Sequence, residues 1–161
     1  MTYYDDISEG YEELHEEEQL KKIRVIKKFF NPNKTHKLLD VGCGTGLTTQ
    51  PWDCKRFGID PAKKLLQRAK QIDKIEYKLA FAEKIPYSDN YFDHVISITA
   101  MQNFSDIKKG LQEIGRVGKN SFVLSALKKS SKINQIRKLI YELFNVTAEM
   151  EEDKDIIFFA N

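Results

Sequence analysis

Three glycines alternate with other residues at Gly42, Gly44 and Gly46, directly after a short apolar run that one acid interrupts. The run, Leu38-Leu39-Asp40-Val41, has the length and composition of a buried strand. Glycine adopts backbone angles closed to other residues and lets a ligand approach the main chain where a Cβ would collide. The stretch therefore predicts a strand that ends in a tight turn beside a flat or polar ligand.

The spacing separates this turn from two other nucleotide-binding loops. A dinucleotide fingerprint needs Gly-x-Gly-x-x-Gly, which from Gly42 requires a glycine where the chain has Leu47. A phosphate-binding loop needs Gly-Lys followed by Ser or Thr, and no lysine follows these glycines. A nicotinamide-dependent oxidoreductase and an ATPase are therefore both disfavoured.

The longer string from Asp40 to Gly46 resembles motif I of the class I S-adenosylmethionine (SAM)-dependent methyltransferases, in particular the type 11 group. In that family the glycine loop passes under the methionine part of SAM, and the acid helps to order the loop. A glycine turn without a ligand is the alternative. The resemblance implies SAM as the cofactor and the following cofactor-binding residues: Asp40, Gly42, Cys43, Gly44, Thr45 and Gly46.

A second acid, Asp60, ends the second predicted strand, Lys55 to Asp60, and is followed by Pro61 and an amphipathic helix. A carboxylate at the carboxyl end of a neighbouring strand can accept hydrogen bonds from ribose hydroxyls when the glycine loop holds the rest of the ligand. Aspartate also caps helix N-termini, so that alternative stays open. We predict that Asp60 and Pro61 contact the cofactor.

After a third predicted strand, Ile75 to Phe81, the segment from Ala82 to Asp93 resembles the family string Asp-Ala-Glu-x-Leu-Pro-Phe-x-Asp-Asn-x-Phe-Asp. Phe81 stands where the family usually has the aspartate that contacts adenine. Because Phe81 replaces that aspartate, the resemblance implies three other ways in which adenine could be held. They are backbone groups near Ala82, apolar contact from Phe81 or Ile59, and the carboxylate of Glu83.

Polar residues follow the fourth predicted strand, Phe92 to Thr99. Ligands of open α/β sheets bind beyond the carboxyl ends of the strands. Thr99, Gln102 and Asn103 are therefore expected to face the methyl group and its acceptor, and Thr99 is expected to contact the cofactor as well. His94 lies within the strand and is expected to pack or bond internally.

An acidic lead-in containing Tyr11 precedes the first predicted helix, Glu16 to Phe30. In methyltransferases that resemble this chain, such a lead-in covers the cofactor, which makes Tyr11 a candidate lid residue and proton acceptor. Packing at the domain edge is an equally weighted alternative. Holding the acceptor in a near-attack geometry can supply much of the catalysis by itself.

The 161 residues fit one methyltransferase domain, residues 1–161, with residues 1–30 as an N-terminal lid and helix. Alternating strands and helices predict an α/β protein. The resemblance specifies a three-layer αβα Rossmann-like methyltransferase fold, with a mostly parallel seven-stranded sheet and a C-terminal β-hairpin. The segment from Leu47 to Asp53 is too short for a long helix, so the first crossover is expected to be abbreviated.

Composition indicates a cytoplasmic protein without a membrane partner, because no apolar stretch has spanning length and no signal peptide opens the chain. Cys43 and Cys54 lack the spacing of a zinc site, so no metal is predicted. The net charge is only +2, yet basic residues gather from Lys108 to Lys138. They allow RNA as an acceptor, although a solvated charged face is favoured.

These observations predict methyl transfer from SAM by in-line displacement to an unidentified acceptor, which is a small molecule, RNA or protein. The alternative is a SAM-binding or non-catalytic subunit that works only with an activating protein partner. The small size of the chain, the abbreviated crossover and Phe81 motivate that alternative.

Overall fold

The structure, a computed structural model, describes residues 9–69 and 74–161, with side chains from residue 13 onward. In chain order its elements are α1 (Glu9–Ile26), β1 (Lys37–Val41), β2 (Lys55–Asp60), α2 (Lys63–Ala69), β3 (Ile75–Leu79), β4 (Phe92–Ile98), α3 (Ile107–Val117), β5 (Gly118–Leu127), α4 (Ile133–Leu143), β6 (Val146–Glu152) and β7 (Asp155–Ala160). The strands form one seven-stranded sheet in the order β3-β2-β1-β4-β5-β7-β6. The predicted architecture is confirmed.

Strands β1 to β5 are parallel to one another, and the hairpin of β6 and β7 completes the sheet, with β7 antiparallel to β5. The strand order reverses between β1 and β4, so that β2 and β3 extend to one side and the remaining strands to the other. Ligands of open α/β sheets bind at such a switch point, beyond the carboxyl ends of the strands. The fold thus places one preferred site at the end of β1.

Helix α1 covers one face of the sheet, where Ile23, Ile26 and Phe30 pack with Leu38 and Trp52. Helices α3 and α4 bury their apolar sides against the other face. The predicted helix start at Glu16 is wrong, because the first turns of α1 carry mostly acidic residues and offer no apolar face to detect. None of the helices in residues 9–69 and 74–161 is long and apolar enough to cross a membrane.

The connection from β1 to β2 contains no long helix, as predicted. The N–H groups of Thr49 and Gln50 donate to the carbonyl oxygen of Gly46 at 3.0 and 2.9 Å, which closes a single turn. Trp52 is buried in the α1 core, and its indole N–H donates to the carbonyl of Thr48 at 2.8 Å. This bond anchors the short crossover to the loop that precedes it.

His94 bonds internally, as predicted. Its Nε2 lies 2.8 Å from Nδ1 of His36, and its Nδ1 lies 2.6 Å from Oγ of Ser121. Burial and the neighbouring His36 lower the pKa of His94. The pair lies beside the start of β1, at the end of the sheet opposite to the switch-point edge.

Candidate cofactor-binding site

A cavity of about 390 Å³ lies at the carboxyl edge of the sheet. Its volume is within the range of small-molecule sites in proteins. Four segments supply its wall: His15, Glu16 and Gln19 from α1; Gly42, Cys43, Gly44, Thr45, Leu47 and Thr48 after β1; Asp60, Pro61, Ala62, Leu65 and Arg68 from the end of β2 through α2; and Ile98, Thr99, Ala100, Asn103 and Phe104 after β4. The predicted switch-point location therefore holds a real cavity.

The glycine loop directly follows β1, and its backbone packs closely against neighbouring side chains. Gly42 and Gly46 have φ angles of +82° and +85°, which other residues rarely adopt. A Cβ on Gly42 would lie 2.5 Å from the Cβ of Ala100, and one on Gly46 would overlap the hydroxyl of Tyr77. Glycine is therefore required here by packing as well as by φ, and the tight packing fixes the part of the loop that faces the cavity.

Asp40, in β1, accepts hydrogen bonds from the segment that follows the glycine loop. Its Oδ2 accepts hydrogen bonds from the hydroxyls of Thr48 and Thr49 at 2.7 and 2.8 Å, while its Oδ1 accepts none from the described residues. The carboxyl group is fully buried, and this burial raises its pKa to about 6. Asp40 does not line the cavity, so its contact with the cofactor stays a prediction.

The buried carboxyl group of Asp40 should make the stability of the protein depend on pH. A pKa raised from 3.8 to about 6 means that the folded state holds the proton more tightly than the unfolded chain, so stability falls as the pH rises through this window. Two pKa units correspond to about 3 kcal/mol. We expect the free energy of unfolding of the wild type, relative to Asp40→Asn, to drop by about this amount between about pH 4 and pH 7. Urea unfolding of both proteins measures it, and a constant difference would contradict the assignment.

Asp60 bonds to the glycine loop and to the backbone just before α2, while its contact with ribose stays a prediction. Its Oδ2 accepts from the N–H of Gly44 at 2.9 Å, and its Oδ1 accepts from the N–H of Ala62, just before α2, at 2.7 Å. The residue is buried and lines the cavity. One carboxylate thus joins the glycine loop to the start of α2 and presents negative charge beside the space between them.

The four residues predicted to hold adenine, Ile59, Phe81, Ala82 and Glu83, do not line the cavity, so their contact with adenine stays a prediction. β3 ends at Leu79 rather than at Phe81, and the Phe81 side chain is 60% exposed. Ala82 packs in the core, and the carboxylate of Glu83 accepts from the N–H of Asp106 at 3.3 Å. Ile59 is also a core residue. The apolar wall beyond Asp60 instead comes from these residues: Pro61, Ala62, Leu65 and Phe104.

Thr99 lines the cavity in a strained backbone conformation with φ of +56°. Such an angle is unusual for a β-branched residue and costs about 1–3 kcal/mol. Its N–H donates to Oγ of Ser125 at 2.9 Å. Its hydroxyl accepts from Nζ of Lys22 at 2.6 Å and donates to Oδ2 of Asp155 at 2.7 Å. The predicted catalytic hydroxyl is thus a member of a polar network.

The other predicted catalytic residues have different positions. Asn103 lines the cavity. Gln102 does not; its Nε2 donates to the carbonyl of Thr99 at 2.9 Å, and its Oε1 is buried without a hydrogen bond from the described residues. Tyr11 belongs to α1, and its side chain lies outside the described part of the chain. Roles in catalysis for Gln102, Asn103 and Tyr11 stay predictions.

A buried ion pair that sequence reasoning missed connects α1 to the sheet. Nζ of Lys22 lies 3.0 Å from Oδ1 of Asp155 at the start of β7, and the two side chains are 4% and 0% exposed. Together with Thr99 they fix α1 over the carboxyl edge. The signal in the sequence is the spacing of His15, Gln19 and Lys22, which places these residues on one side of a helix.

The sheet order, the glycine loop and the cavity at the switch point define a class I methyltransferase fold. Residues 39–124 match the family model described as a methyltransferase domain, and the chain belongs to this family. The resemblance noted from the sequence is therefore confirmed.

Known proteins share this sequence and fold in part. The chain is 30% identical over 91 residues to the uncharacterized methyltransferase YcgJ of Bacillus subtilis, a match that covers 51% of this chain and 36% of that protein. It spans about a third to a half of the length of this and other curated relatives. Among solved structures, a chain of the complex between the Haloferax volcanii Trm112 methyltransferase activator and a methyltransferase superposes with a TM-score of 0.79 at 15% identity, covering 94% of this chain and 93% of that one. A SAM-dependent methyltransferase of Aquifex aeolicus gives 0.71 at 19% identity, covering 85% and 87%.

Proposed function

We propose that the protein is a SAM-dependent methyltransferase that acts on a small molecule. The observation that carries the proposal is the cavity at the switch point, with the glycine loop on one side and Asp60 on the other. The proposal includes a cytoplasmic location. The free thiols of Cys43 and Cys54 support it, since disulfides persist in oxidising compartments.

The residues of the cavity fit SAM. The backbone of the glycine loop forms part of the wall, where side chains would otherwise fill the space. The carboxylate of Asp60 stands at the end of β2, where ribose hydroxyls can donate to it, and Leu65 and Phe104 supply apolar contact for a flat ring. The buried charge of Asp40 below the loop favours a cationic ligand. When bound, SAM supplies a methyl group on positively charged sulfur; the chain's own residues hold it and exclude water.

Calorimetric titration with SAM and with S-adenosylhomocysteine (SAH) tests the proposal. We expect the wild type to bind both, and Asp60→Ala to bind at least about tenfold more weakly, because it loses a carboxylate and the bond that holds Gly44. Asp106→Ala is the matched control, since it removes a carboxylate that accepts from the N–H of Lys109 at the start of α3, away from the cavity wall. Absence of binding to the wild type would overturn the proposal.

The charge distribution favours a small acceptor over RNA. Many residues of the predicted basic face are paired with carboxylates: Arg116 with Glu113 and Asp89, Lys119 with Asp93, Lys128 with Glu151, Arg137 with Glu149, and Lys138 with Glu142. Paired charges release fewer counterions from a nucleic acid. A steep loss of RNA affinity with rising salt, measured on the wild type, would reinstate RNA as the acceptor.

A second candidate function is that of a subunit which needs an activating protein. One observation favours it: the Haloferax volcanii structure that superposes over nearly the whole chain contains a methyltransferase activator. Under this alternative, the isolated chain binds SAM weakly or transfers no methyl group until a partner co-purifies with it. Comparing SAM affinity and labelled-methyl transfer before and after removal of the partner distinguishes the two functions.

A further inference from the structure

The N-terminal part of α1 forms a polar wall over the carboxyl end of β4. Lys22 marks the level of that edge, because its Nζ lies 2.6 Å from Oγ1 of Thr99. A helix rises about 1.5 Å per residue, which places Gln19 about 4.5 Å and His15 about 10 Å further along α1 towards its N-terminus. Both residues line the cavity, together with Thr99 and Asn103 of the β4 end. The wall therefore faces the space where an acceptor would meet the methyl group.

His15 is held in the form that can accept a proton. Burial, followed by the positive charge of Lys22, lowers its pKa, while Glu18 and Glu16 act in the opposite direction with smaller effect. Other charged residues at the same cavity are Asp60 and Arg68 of the opposite wall. A neutral imidazole in a partly buried site is the usual form of a general base near neutral pH.

Gln19 gives an independent indication that a polar group can bind here. The residue is 5% exposed and lines the cavity, yet its Oε1 accepts no hydrogen bond from the described residues. A buried acceptor without a partner costs about 1–3 kcal/mol, so such groups are normally satisfied by water or a ligand. The wall of α1 thus offers an amide oxygen and an imidazole to a group that carries a hydrogen.

We propose that His15 is the catalytic base of methyl transfer, with Gln19 binding the acceptor beside it. The inference rests on the proposed function. The acceptor is a small molecule whose hydroxyl, thiol or amine loses a proton on methylation. Its lone pair forms the bond to the methyl carbon, the carbon–sulfur bond breaks with its electron pair left on sulfur, and the proton passes to the imidazole of His15.

Nuclear magnetic resonance titration of the histidines tests this placement without an acceptor. SAM carries one positive charge more than SAH, at sulfur. If His15 faces that sulfur, its pKa should be lower in the SAM complex than in the SAH complex by about one unit, as expected for a charge several ångströms away in a partly buried site. His94 at the opposite end of the sheet is an internal control, and its pKa should be the same in both complexes. His15→Gln assigns the His15 signal.

The outcomes separate this inference from the proposed function. Calorimetric binding of both ligands with equal His15 pKa values in the two complexes overturns the inference alone. Failure of both ligands to bind overturns the proposed function, and the inference with it. A pKa difference confined to His15 supports both.

Transfer of labelled methyl groups to the small-molecule fraction of a cell extract tests the base itself. His15→Gln should bind SAM within about twofold of the wild type but transfer at least about 100-fold more slowly, the usual contribution of a general base. The fall in rate below the histidine pKa should also disappear in this variant. Wild-type rates and an unchanged pH profile in His15→Gln would overturn the proposal.

Discussion

Replacing Lys22 with methionine is expected to lower the free energy of unfolding by about 3–5 kcal/mol, as is typical when one partner of a buried ion pair is removed. Asp155 is completely buried, and its Oδ1 lies 3.0 Å from the Lys22 ammonium. Without the lysine, the negative charge of Asp155 would remain in the interior. Of the network formed by Lys22, Thr99 and Asp155, only the Thr99 hydroxyl would still donate a hydrogen bond to this carboxylate. Urea unfolding of the wild type and the variant measures the loss.

A double-mutant cycle shows how much of this loss belongs to the pair. Lys22→Met combined with Asp155→Leu should be more stable than the sum of the single effects implies, because no unpaired charge stays buried. Lys34→Met is the matched control: its partner Asp53 lies 3.6 Å away, and both side chains are 82% exposed. Such a surface pair contributes about 0–1 kcal/mol. If Lys22→Met lowers the free energy of unfolding no more than Lys34→Met does, the buried pair does not fix α1.

The ion pair also links stability to the cavity. Lys22 joins α1 to Thr99, and the same helix carries His15 and Gln19 on the cavity wall. A helix released from the carboxyl edge would no longer hold these two side chains in place. We therefore expect stability and ligand affinity to fall together in Lys22→Met.

The sequence predicts those parts of the fold in which local pattern and long-range packing agree. In α3, Ile107, Leu111 and Ile114 recur at helical spacing and all face the core, so the apolar pattern and the packing indicate the same helix. The glycine string predicts the turn after β1, because a positive φ and close packing require glycine at the same positions.

The local sequence pattern does not predict the buried ion pair or the end of β3. Lys22 follows another lysine and suggests a solvated face, whereas its partner Asp155 lies near the other end of the chain. No spacing rule connects the two. Phe81 lies outside the cavity wall because β3 ends before Ala80 and Phe81, which leaves the Phe81 side chain exposed; its contact with adenine stays a prediction. Strand ends depend on pairing with a neighbour, which the residues themselves do not specify.

Gly46→Ala is expected to destabilise the protein strongly through the glycine loop. Its φ of +85° is unfavourable for alanine, and the new Cβ would overlap the Tyr77 hydroxyl in a packed interior. Strain and overpacking together should lower the free energy of unfolding by about 2–4 kcal/mol. Gly115→Ala in α3 is the control, since its Cβ would meet Phe144 only at 3.6 Å and a helical alanine is favoured by about 0.5–1 kcal/mol.

Tyr77→Phe separates the two causes. Removing the hydroxyl takes away the overlapping atom and leaves the ring carbon 3.1 Å from the new Cβ, a contact that small shifts relieve. In the Tyr77→Phe background, Gly46→Ala should therefore cost only the strain of its positive φ, about 1–2 kcal/mol. If the cost is the same in both backgrounds, the overlap is not what requires glycine here. In that case φ alone determines the shape of the loop on which the cofactor would lie.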